Sequence, residues 1–226
     1  MQKPKISANK LGEYITEKPH RQQQIIKDQK YQKGFIIKRY NKARNVIINF
    51  LTKKIDKNAL LLEIQNLITE EYSRNASSFQ KQDNKLSIEA LEIFANSDLL
   101  ELPEFENLEN IRLRKSNNNL LIEGVEVSVH PDILICGKIR NKKFIGGIKL
   151  HISKSHPLKK EAGEYVATVL HEYLEKEFPK SRVKTQFCIS IDVFTGEYFI
   201  APKTYKTMKK NIKAACSAIQ LFWENI

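Results

Sequence analysis

An acid directly after a proline opens one apolar segment, 129-VHPDILICG-137, and a lysine interrupts the next, 144-FIGGIKLHIS-153. Both segments read as strands bound for a sheet interior. An ionised side chain there costs on the order of several kcal/mol unless a partner meets it. Asp132 starts one strand and Lys149 lies midway along the next, across the short basic turn GKIRNKK. Neighbouring strands run about 4.8 Å apart, so the carboxylate and the ammonium can converge on one metal-sized site. Along the second strand Gly147, Lys149, His151 and Ser153 share a face, and Ile148, Leu150 and Ile152 point into the core. Each group also has a structural alternative: Asp132 as a turn cap, and Lys149 as a side chain carrying its amine to the sheet edge.

The elements that must hold this pair are legible from periodicity. After residue 110 the apolar period shortens from about 3.6 to 2. Residues 111–115 and 119–129 read as strands flanking a Ser-Asn-Asn-Asn turn, followed by strands at 132–136 and 143–152. A helix over 157–178 carries an apolar stripe from Ala162 to Leu174. Strands at 185–194 and 197–201 enclose a Thr195-Gly196 turn, and a last helix runs from Thr204 to the end. This succession of strands, helix, strand pair and final helix makes this half an α/β domain.

The first half reads as mostly helical. Residues 1–33 show no clear period. A helix is expected from Gly34 to 54, with Phe35, Ile36, Ile37, Tyr40, Ala43, Val46, Ile47, Phe50 and Leu51 on one stripe. Lys38, Arg39, Lys42 and Arg44 fall on the rest of its circumference. Further helices are expected at 57–73 and 86–97, and the acidic stretch 98–110, with Pro103, reads as a loop. The domain division is a basic N-terminal part over 1–56 and an α/β domain over 57–226, its core elements within about 111–201.

The net charge of +12 is unevenly distributed. Residues 1–60 hold 15 Lys/Arg against 4 Asp/Glu, residues 61–110 hold 3 against 11, and residues 111–226 hold 20 against 11. Two basic regions around an acidic one suggest a polyanion met by separate surfaces. A lysine-rich solvated surface is the plainer alternative. No apolar run approaches the roughly 18 residues that span a bilayer, and no apolar signal core opens the chain, so a cytoplasmic protein is expected. Cys136, Cys188 and Cys216 are too far apart for a zinc motif and fit reduced, packed thiols.

Pro131-Asp132, followed by Gly147-Ile148-Lys149 within an α-β-β-β-α-β order, resembles the PD-(D/E)xK nuclease superfamily over roughly residues 57–201. The resemblance implies a restriction-endonuclease-like mixed sheet flanked by helices. It implies Asp132 as ligand to Mg²⁺ or Mn²⁺, the Ile148 carbonyl as a further ligand, and Lys149 as the cation that positions the attacking water. A hard divalent ion held by carboxylates would clamp the phosphate oxygens and supply a nucleophile near neutral pH, with Lys149 stabilising the developing charge. The chain departs from the family at its second acid position, which is Gly147. A displaced carboxylate could come from Glu161 or Glu164, three apart on the following helix, or from Glu126. The two helix acids also suit any helix N-terminus. His130 and His151 read as surface histidines, and Asp192 as a structural partner.

The leading expectation is a metal-dependent nuclease hydrolysing DNA in a restriction, phage-defence or mobile-element setting. It would hold the backbone through Lys38, Arg39, Lys42, Arg44 and Lys154. The alternative is a nucleic-acid-binding module of the same fold with a decayed site, and a third reading is a regulatory protein facing an acidic protein partner. Assembly as a homodimer or larger complex is compatible with all three.

Overall fold

The computed structural model describes residues 3–31, 39–72, 77–101, 109–112, 118–139 and 142–226. A five-stranded mixed sheet forms its centre, in the order β2 (Glu109–Arg112), β5 (Ile133–Ile139), β6 (Lys142–His151), β7 (Arg182–Asp192), β8 (Glu197–Ile200). All neighbours are antiparallel except β6 and β7, which run parallel. That parallel pair requires a crossover, and the helix α6 (Lys160–Glu177) provides it. A three-stranded sheet joins β1 (Lys5–Ser7), β4 (Val125–Ser128) and β3 (Leu120–Ile122).

Both faces of the central sheet are buried, which explains the near-continuous apolar runs of β5, β6 and β7. Ile133, Ile135, Ile148, Leu150, Ile189 and Ile191 meet the helices α3 (Asn41–Leu51), α4 (Lys57–Glu71) and α5 (Ser78–Ala95) on one side. Leu134, Ile145 and Cys188 meet α6 on the other. Behind α6 lie α1 (Ala8–Thr16), α2 (Pro19–Lys30), α7 (Tyr205–Asn225) and the small sheet. The product is an α/β layered protein. Among the described residues no helix is long and apolar enough to cross a membrane.

The N-terminal segment differs most from expectation. Residues 5–30, expected to be irregular, form β1, α1 and α2. Ser7 caps α1 by accepting the Lys10 N–H, and Ala8, Leu11 and Tyr14 join the core. Gly12 weakens the helical pattern in sequence, but a Cβ there would lie 2.6 Å from the Ala162 carbonyl, so glycine is what lets α1 seat on α6. Because β1 pairs with β4 and α3 covers the central sheet, residues before 57 are woven into both cores.

Other boundaries shift for local reasons. The helix α3 begins at Asn41, after Tyr40 in a left-handed conformation (φ 61°), and the expected start from 34 to 38 lies outside the described residues. The helix α5 begins at Ser78, before the expected start at 86, with a capping box between Ser77 and Gln80. The expected strand 119–129 is a hairpin, because Glu123 and Gly124 both adopt positive φ and turn the chain back in two residues. The residues at 109–112 pair with β5, not with that hairpin.

Candidate functional site

The register of the β5–β6 pair sets the site. Ile133 lies opposite Ile148, and the preceding N–H, that of Asp132, donates to the Ile148 carbonyl at 2.8 Å. Asp132 thus faces Lys149 across the ladder, as the spacing predicts, with 3.6 Å between Oδ2 and Nζ. The Leu150 N–H donates to Asp132 Oδ2 at 2.8 Å, and Lys149 Nζ donates to the His130 carbonyl at 2.8 Å.

The third member comes from α3. Arg44 Nη1 donates to Asp132 Oδ1 at 2.6 Å, across 88 residues of sequence. The neighbouring Leu150 carbonyl accepts from Asn9 Nδ2 at 3.2 Å, which ties α1 to the same corner. Exposure falls from 29% for the Arg44 side chain to 13% for Lys149 and 9% for Asp132. Burial alone would push the Asp132 carboxyl up. Lys149, Arg44 and the Leu150 N–H outweigh it and hold the group below its ordinary range. Lys149 is pushed down, first by burial and then by Arg44, with Asp132 only partly compensating. Two basic side chains, Arg44 and Lys149, thus converge on the single Asp132 carboxylate.

The displaced carboxylate does not arrive from the expected elements. Ser190 Oγ on β7 donates to the Gly163 carbonyl at 2.8 Å, and Gly163 sits against the Phe199 ring of β8. The start of α6 therefore lies over β7 and β8, on the far side of β6 from Asp132. Glu161 is exposed there and Glu164 half-buried; among the described residues no ion pair or hydrogen bond links either to Asp132 or Lys149. Glu126 sits in the small sheet, opposite Lys5.

Position 147 is closed as well. A Cβ on Gly147 would meet the Ile133 carbonyl at 3.1 Å and the Leu174 and Leu170 methyls at 3.3 and 3.5 Å. An acid there would enter the apolar underside of α6. Among the described residues no three His, Cys, Asp or Glu side chains are grouped to hold a metal ion. One carboxylate already accepting from Arg44 and Leu150, beside Lys149, does not fit a divalent cation, which prefers several anionic or neutral oxygens.

The expected nucleic-acid contacts divide. Lys38 lies outside the described residues, and Arg39 is exposed. Lys42 pairs with Glu70, and Lys154 with Glu89 at 2.6 Å. Arg44 reaches the Asp132 corner, its side chain 29% exposed. His151, read as a surface group, is 6% exposed; its Nε2 lies 2.7 Å from the His156 carbonyl and 3.8 Å from Asp192 Oδ2. Asp192 accepts the N–H groups of Leu158, Phe194 and Thr195 and is structural, as expected. Sequence spacing carried no signal for Arg44 or Asn9, because both reach the site from helices remote in the chain.

A scan against protein-family models finds no match to this chain, and a search of curated proteins finds none either.

Proposed function

We propose that the chain is a nucleic-acid-binding protein on a restriction-endonuclease-like core, in which Arg44 stands where a nuclease of that type would hold its metal. The observation that carries this reading is the 2.6 Å contact between Arg44 Nη1 and Asp132 Oδ1, opposite Lys149. It gives the carboxylate a guanidinium partner in the place a metal ion would need. Leaving aside the β3–β4 hairpin, which is inserted between β2 and β5 and belongs to the small sheet, the elements α5, β2, β5, β6, α6, β7 follow the α-β-β-β-α-β order of the resembled family, and this supports the core. Asp132 immediately precedes the second of those sheet strands and Lys149 lies within the third. A net charge of +12 supports a polyanionic partner. DNA is the partner assigned.

Binding is tested by anisotropy titration of a labelled duplex, in chelator and again in millimolar Mn²⁺. The two isotherms are expected to coincide. Binding that requires the metal would contradict the proposal. Metal-dependent hydrolysis is the second reading, favoured by Asp132 and Lys149 facing one another on adjacent strands. It needs a further carboxylate that the described residues do not bring to the site.

A further inference from the structure

The final helix carries a row of cations that the corner does not use. One side of α7 is buried through Met208, Ile212, Cys216, Ile219 and Trp223. Lys206, Lys210 and Lys213 are exposed on a face turned away from that stripe, and Lys203 is exposed in the turn before the helix. Their spacings of three, four and three keep them on one side. No acidic residue occurs in α7 before Glu224. Among the described residues none of these four lysines is in an ion pair, whereas Lys209, on another face, is held by Glu175 at 2.6 Å. Lys42, Arg44 and Lys154 are all engaged by carboxylates.

We propose that the Lys203–Lys206–Lys210–Lys213 row is a surface along which the protein holds the phosphate backbone of a nucleic acid. The inference rests on the nucleic-acid reading above and adds where contact is made. Seven residues of helix rise about 10 Å, close to three phosphate-to-phosphate intervals along one strand, at about 3.4 Å each. Long flexible stems ending in point charges suit such contacts and carry little base-edge readout. An anionic membrane is the weaker partner. A helix lying on a bilayer inserts its apolar face, and that face of α7 is already in the core.

The test is a salt titration of duplex binding by the full chain and by a Lys206→Gln/Lys210→Gln/Lys213→Gln variant. Losing three phosphate contacts should flatten the log–log salt slope by about 2 to 3 units. Unfolding temperature should stay within a few degrees, because the altered side chains are exposed. A variant with arginine at the same three positions should keep the slope, and it separates charge loss from structural damage. An unchanged slope in the glutamine variant, with tight binding by the unaltered chain, overturns the inference and leaves the nucleic-acid reading standing. If the unaltered chain binds no duplex, single-stranded DNA or RNA at low salt, that reading falls and the inference with it. Binding to phosphatidylserine vesicles in place of nucleic acid, lost in the glutamine variant, overturns it in favour of a membrane.

Discussion

Replacing Arg44 with methionine removes the guanidinium while keeping most of the stem's packing. Asp132 Oδ1 then loses its 2.6 Å donor, in a side chain only 9% exposed. Removing one partner of a fully buried pair costs about 3–5 kcal/mol. Arg44 is 29% exposed and Asp132 keeps Lys149 and the Leu150 N–H, so the cost here is discounted to about 2 kcal/mol. In a chain of 226 residues that lowers the melting temperature by about 4–8 °C. Asp132→Asn leaves Arg44 and Lys149 facing each other without their shared anion and is destabilising too, so a simple alanine or asparagine replacement at 132 is not silent. The double variant should lose less than the two single losses together, with a coupling of about 1 kcal/mol or more. Acid titration gives a second readout. The folded Asp132 carboxyl lies below its ordinary range, so its contribution is present above the unfolded value of about 3.9 and is lost as pH falls through the folded one. Without Arg44 that loss should begin at higher pH. Urea unfolding of the four proteins measures the cycle. A cost under about 0.5 kcal/mol for Arg44→Met, or zero coupling, would refute the corner as a coupled unit.

Gly147→Glu, which restores the second acid of the resembled family, should bury a carboxylate against Leu170 and Leu174. It should destabilise by about 2 kcal/mol or more without creating Mn²⁺ affinity in calorimetry; a stable variant that binds Mn²⁺ would contradict this. Burial pushes His151 and His171 below the ordinary imidazole value, so the unfolded chain takes up protons first and stability declines as pH falls below about 6.5. His171→Phe, which preserves the contact with the Tyr205 ring, should make that decline shallower in thermal melts between neutral and mildly acidic pH; an unchanged slope would place the titration elsewhere. Ser77→Ala removes the capping box of α5 and should cost about 1 kcal/mol in urea unfolding.

The sheet and its pair of charged residues were legible because both depend on short-range pattern. Alternation along β6 fixed which face Lys149 takes, and the two-strand spacing fixed Asp132 opposite it. The N-terminal helices were not legible. Only Ile25 and Ile26 of α2 are buried, and the core contacts of α1 are made with α6, some 150 residues later in the chain. The role of Arg44 was hidden for a related reason. On a helical wheel it is one of several cations around an apolar stripe, and only the docking of α3 on the sheet selects it from Arg39 and Lys42. Gly147 read as an absent acid, whereas in the fold it is a close-packed position under α6 that excludes one.

The most direct test of the proposal that Arg44 occupies the metal's place is the fate of supercoiled plasmid incubated with the protein in Mg²⁺ or Mn²⁺. The account predicts a retarded but intact plasmid, with the same retardation in chelator. Nicking or linearisation that requires the metal and disappears in Asp132→Asn, with that variant shown to be folded and DNA-bound, would contradict it.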